Sequence, residues 1–223
     1  MSELTIRDVR AIITEPPGAR TLAIVKVETT EPELYGLGCA SFFSRVTAVA
    51  KAVDDYLKPF LVGKDPAEIE DLWQSCNVSA YWRNGPVLNN AVSGVDEALW
   101  DIKGKVAGMP IYDLLGGPVR DSVPLYTHVR DQWHSDDLDG MVSQAKQAKE
   151  QGYQAIKTDP FPQTQAAGSA FKGAHQVERL DPKSVAQALH WMEALREAVG
   201  PDYELMVDAH GRFDVASAIK ASQ

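Results

Sequence analysis

From about Asp121 onward, strand-like and helix-like segments alternate along the chain, and no other feature of the sequence restricts the fold as much. Val123 to Val129 reads as a strand. Ser135 is placed to cap a helix whose inward face is Leu138, Met141, Val142, Ala145 and Ala148, stopped by Gly152. Tyr153 to Thr158 reads as a second strand, and Asp181-Pro182 opens a helix with Val185, Ala188, Leu189, Met192, Leu195 and Val199 inward. Glu204 to Val207 is a third, short buried strand, after which Asp214 can cap a helix beginning at Val215. Strands joined through helices run parallel, with the helices packed outside the sheet. Between the second strand and its helix lies a loop of about twenty residues, Asp159 to Leu180. Loops of that length inside a compact domain are uncommon and often functional.

The first half follows a different pattern. Leu4 to Thr14, Arg20 to Thr29 and Tyr35 to Ala40 read as strands broken by Glu15-Pro16-Pro17-Gly18 and Thr30-Glu31-Pro32-Glu33, which makes an antiparallel meander. Helices follow. Ser44 is placed to cap one carrying Val46, Val49, Ala50, Val53 and Leu57, and Asp65-Pro66 opens another through Ile69, Leu72 and Trp73. The longest runs from about Val87 to Val106, with Val87, Ala91, Val95, Ala98, Leu99, Ile102 and Val106 on one face and Asp101 and Lys105 as an i,i+4 pair. Gly108-Met109-Pro110 ends it. The expected division is therefore residues 1–120 and 121–223.

The third strand of the second half leads into Asp208-Ala209-His210-Gly211. Alternate strand residues face the same way, so Asp208 and His210 project together from its end. That pairing offers a metal ligand beside a proton-transfer group, although an Asp and a His in a turn is the plainer account of the bare motif. Composition limits what else the chain can bind. With a net charge of −9 and a pI near 5.0, nucleic acid and anionic membranes are poor partners. The charged, alternating N-terminus is no signal peptide, and no apolar run approaches the ~20 residues of a membrane span. Cys39 and Cys76 lack metal-type spacing, so both are expected to be reduced core thiols of a cytoplasmic protein.

Three further stretches sharpen the reading. Tyr81-Trp82-Arg83-Asn84-Gly85-Pro86, then Val95-Asp96-Glu97-Ala98-Leu99-Trp100-Asp101-Ile102-Lys103, then Leu114-Leu115-Gly116-Gly117, resemble the capping domain of the acid-sugar dehydratases of the enolase superfamily, the mandelate racemase/muconate lactonizing enzyme-like group. The resemblance extends over the whole chain. It implies an α+β capping domain over residues 1–120 and part of a modified (β/α)8 barrel over 121–223. It also implies Mg²⁺ as cofactor, a sugar-acid substrate, and a homo-oligomer for the full-length protein. Asp208 matches the first metal-binding carboxylate, at the end of the third barrel strand. His210 matches the histidine with which galactonate- and mannonate-type dehydratases help the β-hydroxyl leave as water.

Lys157 falls where mandelate racemase-like members keep a Lys-x-Lys pair. Asp159 stands in the second position, and Lys157 itself could neutralise a substrate carboxylate or act as a base. His128 matches a substrate-contacting histidine on the first barrel strand, and Arg83 lies on the cap loop that covers the site in relatives. A histidine packed at a strand end and an Arg–Trp stack at the surface are the structural alternatives for these two. Phe43 replaces a cap asparagine of mannonate-type members. The absence of tyrosine between Tyr153 and Tyr203 counts against mannonate and leans toward gluconate- or galactonate-like acids. His134, His175 and His190 read as surface residues.

Residues 121–223 hold about three βα units where a barrel takes eight, at about thirty residues each. The expectation is thus an incomplete copy of a hydro-lyase that turns an aldonate into a 2-keto-3-deoxy acid through an enediolate. The alternatives are a non-catalytic remnant that serves binding or oligomerisation and, disfavoured by His210, a racemase or cycloisomerase.

Overall fold

The buried–exposed alternation along Leu22–Thr29, with Ala23, Val25, Val27 and Thr29 all buried, is what a strand with one face on a core requires. The computed structural model describes residues 4–17, 20–42, 45–81, 83–129, 137–161, 182–209 and 213–222. They fall into two compact units, Met1–Val119 and Arg120–Gln223.

In the first unit, β1 (Ile6–Thr14), β2 (Leu22–Thr29) and β3 (Tyr35–Cys39) form an antiparallel meander in that order. Helix α1 (Val46–Ala52) runs through a π-helical turn, Val53–Leu57, into the short α2 (Lys58–Leu61). Then come α3 (Ile69–Val78), the long α4 (Pro86–Ala107) and α5 (Ile111–Leu114). Proline at its first position starts α4, and Gly108, in the left-handed conformation at φ 63°, stops it. Its stripe of Ala91, Val95, Ala98, Leu99 and Ile102 joins Val9, Val25, Val27, Leu57, Leu61 and Leu72 in one core. Val106, expected inward, is 63% exposed, and the buried position in that last turn is Gly104.

Helix α4 lies on β3 at backbone distance. A Cβ on Gly36 would stand 1.8 Å from the Ala98 carbonyl oxygen, and one on Gly38 would stand 2.0 Å from that of Gly94. The same helix satisfies the outer edge of β3. Leu37 N–H donates to Asp101 Oδ2 at 2.9 Å, Cys39 N–H donates to Glu97 Oε2 at 2.7 Å, and Lys105 Nζ donates to the Tyr35 carbonyl at 2.7 Å. On the opposite edge, Ala11 N–H donates to Asp54 Oδ1 from the π-helical turn. Both open edges of the meander are thus occupied by side chains.

Several local expectations shift. Asp65 does not open α3. It accepts from Ala67 N–H in a turn, and the helix starts at Ile69. Helix α1 is entered at Arg45 without a side-chain cap, while Ser44 and Phe43 lie outside the described residues. Cys39 is exposed rather than a core thiol, because it faces away from the core beside buried Gly38. Cys76 is buried, and burial pushes its thiol up to about 11.

The second unit alternates β4 (Tyr126–His128), α6 (Leu138–Glu150), β5 (Ala155–Thr158), α7 (Pro182–Val199), β6 (Glu204–Val207) and α8 (Val215–Ala221). The strands are parallel in the order β4-β5-β6. Strand β4 is shorter than expected, with Val123 and Leu125 both exposed. The cap of α6 is Asp137, which accepts from Gly140 N–H at 2.8 Å, and Ser135 lies outside the described residues. Asp214 caps α8 as expected, accepting from Ser217 N–H.

The inward stripe of α7 is Ser184, Ala188, Trp191, Leu195 and Val199. Leu189, expected inward, is 58% exposed, because the bulk of Trp191 takes the contact with the sheet. Strand β6 is only half-buried, with Val207 48% exposed. It is an edge strand among the described residues, paired on one side only. The core here is Val129, Met141, Ala145, Ala148, Ile156, Trp191, Leu195 and Val199.

One polar atom in this unit is out of place. Thr158 is 2% exposed, and its hydroxyl has no hydrogen-bond partner among the described residues. Thr158→Val keeps the shape and removes the stranded group, so the melting midpoint should rise, by about 1 kcal/mol of stability. A lower midpoint in a thermal scan would show that the hydroxyl is satisfied in solution.

Candidate functional site

Parallel pairing fixes which side chains share a face. Tyr126 lies opposite Ala155, His128 opposite Lys157, and Lys157 opposite Met206. Ile156, Val129 and Leu205 belong to the core formed with the helices. By the two-residue period of a strand, Tyr126, His128, Lys157 and Met206 face the other way. Asp208 follows β6 by one residue, and its N–H donates to the Thr158 carbonyl at 2.9 Å, so the ladder continues to this position. His128, Lys157 and Asp208 therefore stand in a row at the C-terminal ends of three neighbouring parallel strands. Ligands of α/β sheets and barrels collect at that end.

The row is electrostatically connected. Lys157 Nζ lies 2.9 Å from Asp208 Oδ2, with side chains only 20% and 26% exposed. Its ammonium also sits 5.1 Å from the Tyr126 ring centroid, and the Tyr126 and His128 rings are 5.7 Å apart. Asp208, and after it Tyr126, hold the Lys157 ammonium above its ordinary pKa, so in this arrangement it is a cation rather than a base. Tyr126 had no role assigned from sequence. Its signal was the two-residue spacing from His128, which places both on one strand face.

Past the strands, Phe161 and Phe213 meet edge to face at 4.9 Å, joining the segments that follow β5 and β6. Asp159, the second position of the incomplete lysine pair, accepts from Phe161 N–H and shapes that turn. Arg83 is exposed in the first unit, just before α4, and His190 is exposed on α7. His210, His134, His175, Trp82 and most of the long loop lie outside the described residues. Among the described residues no three His, Cys, Asp or Glu side chains cluster as a metal site would require. The cation-attracting donor of the row is Asp208, a hard carboxylate oxygen of the kind Mg²⁺ takes. It fits in type and supplies one of six positions.

A concave patch of about 560 Å³ lined by Ser122, Pro124, Leu125, Gly152 and Tyr153 precedes β4 and β5, at the opposite end of the strands from the row. No helix among the described residues is long and apolar enough to cross a membrane.

Residues 8–116 match the model of the mandelate racemase/muconate lactonizing enzyme N-terminal domain, and residues 140–223 match that of the enolase C-terminal domain-like family. The chain is 57% identical to a D-galactonate dehydratase family member of Salmonella virchow, over 100% of this chain and 57% of that protein. It is 44% identical to the family member RspA of Pantoea ananatis, over 98% of this chain and 56% of the other. Among solved structures, an enolase from Pantoea ananatis with bound D-gluconate and Mg superposes with a TM-score of 0.81 at 41% identity, covering 99% of this chain and 57% of that one. The chain thus spans little more than half the length of the relatives it matches.

Proposed function

This chain belongs to the enolase superfamily, in its mandelate racemase/muconate lactonizing enzyme-like branch, and from that premise we propose that it serves the Mg²⁺-dependent dehydration of a sugar acid. The observation that carries the reading is the row His128–Lys157–Asp208 at the strand ends, on the face turned away from the helices. The substrate class is an aldonate of the gluconate or galactonate type. Relatives of this chain are named for galactonate, and a solved neighbour holds gluconate and Mg.

Once the proton next to the carboxylate has passed to a general base, a part that the charged Lys157 does not play, negative charge concentrates on the carboxylate oxygens, and a divalent cation at Asp208 would neutralise it. Asp208 would hold one side of the cation. Lys157 presents a fixed positive charge to an anionic ligand on the same face, and His128 offers a ring nitrogen to its hydroxyls. His210 would give a proton to the departing β-hydroxyl. The product is a 2-keto-3-deoxy acid.

A second reading rests on one observation: the described residues bring a single carboxylate to the row. A chain that binds but does not turn over the acid, or that acts with another polypeptide supplying the remaining ligands, is consistent with that. The test is a screen of D-gluconate, D-galactonate and D-mannonate with the purified chain, with Mg²⁺ and with chelator, scored by 2-keto-3-deoxy acid formed. Mg²⁺-dependent product from gluconate or galactonate is expected. Absence of product while Mg²⁺ and acid still raise the melting midpoint would favour the binding role.

A further inference from the structure

Lys157 and Asp208 are far apart in the sequence and meet because β5 and β6 pair in register, Lys157 opposite Met206 and Asp208 two residues further on the same face. The pair is therefore set by the sheet, not by two long surface side chains finding each other. With side chains 20% and 26% exposed, it is far more sheltered than a surface pair such as Lys51–Asp55 at 71% and 46%, and as sheltered as Lys26–Glu28 at 22% and 18%. A half-buried carboxylate at a sheet edge is costly without a counter-charge. Here the counter-charge is built into the neighbouring strand. The Tyr126 ring beside the ammonium favours the same placement.

We propose that Lys157 is a tethered counter-ion of Asp208, holding the metal-free carboxylate in place, and that a divalent cation has to displace it to bind. The proposal rests on the reading of Asp208 as a metal ligand. Two cations cannot share Asp208 Oδ2 at contact distance without strong mutual repulsion. Metal arrival therefore moves the ammonium off the carboxylate, and the energy of the ion pair is subtracted from the metal affinity. Lys157 then sets how much cation the chain needs before Asp208 is occupied, in addition to any contact it makes with an anionic ligand.

The test is a titration of the full chain with Mn²⁺, reading free Mn²⁺ by electron paramagnetic resonance, so that turnover plays no part. Lys157→Met removes the charge and keeps the stem, and it should tighten Mn²⁺ binding about tenfold. Lys157→Arg, which keeps the charge, should stay near the parent. Lys157→Gln, which can still donate a hydrogen bond to Asp208, serves if the methionine variant fails to fold by circular dichroism. Adding Asp208→Asn to either neutral variant should abolish the gain. Unchanged or weaker binding in the neutral variants, with binding still lost on Asp208→Asn, overturns the counter-ion role and leaves Asp208 a ligand. Mn²⁺ binding that ignores Asp208→Asn, or no binding in any variant, overturns the ligand reading and this proposal with it.

Discussion

Gly38→Val is expected to unfold the capping unit. A Cβ at Gly38 would lie 2.0 Å from the Gly94 carbonyl oxygen and 2.8 Å from the Glu97 Cβ, and the carbonyl is backbone of a 22-residue helix that cannot step aside locally. Gly94 in turn leaves no slack, because its own missing Cβ would meet Ala40 Cβ at 2.7 Å and Val25 Cγ2 at 2.8 Å. Relief requires moving α4 off β3, which also breaks the bonds from Leu37 and Cys39 to Asp101 and Glu97. Overpacking in a core usually costs ~1–3 kcal/mol. A backbone collision with linked hydrogen bonds should exceed about 3 kcal/mol, much of the ~5–15 kcal/mol that holds a domain folded. Gly63→Ala is the control. Its φ is 86° but nothing lies within 4 Å of the added atom, so only the left-handed backbone is penalised, by about 1–2 kcal/mol. Urea unfolding should rank the two clearly, and equal midpoints would show that α4 and β3 are not in backbone contact.

The second large effect is expected at His210. If it delivers the proton that lets the β-hydroxyl depart, His210→Asn should lower dehydration about 10²- to 10⁴-fold, the usual worth of a positioned acid. Asparagine keeps polarity and approximate size but cannot supply a proton near neutral pH. The Mg²⁺-induced rise in melting midpoint should persist, because the metal role is assigned to Asp208. Product formation at the parent rate would remove the acid role, and loss of the Mg²⁺ response would make His210 a ligand instead.

The meander, the long α4 and the strand–helix alternation were legible because each is written in local signals: turn clusters, Pro86 and Gly108 at the ends of a helix, and period-two or period-four apolar spacing. Helix faces were less legible where two apolar stripes run side by side. On α7, Val185, Leu189 and Met192 are as regularly spaced as Ser184, Ala188, Trp191 and Leu195, and spacing alone does not say which stripe meets the sheet. Helix starts misread where a good capping residue had another use, as with Asp65 in its turn. At the site, the strand-end positions of His128, Lys157 and Asp208 could be read from sequence, and the ion pair between two of them could not. It depends on the register between β5 and β6, which no local pattern records.

The carboxylates on α4 that seal β3 also impose an order of events on a chain made from its N-terminus. Cys39 waits 58 residues for Glu97, and Leu37 waits 64 for Asp101. During that interval the meander exposes a free strand edge able to pair with any other emerging strand, including that of a sister chain on the same messenger. The short, glycine-containing β3 is a poor template for such pairing, and this limits the hazard until the helix is synthesised. Soluble yield should therefore depend on translation speed between Cys39 and Asp101, and a pause placed there would cost more protein than the same pause placed after Lys105.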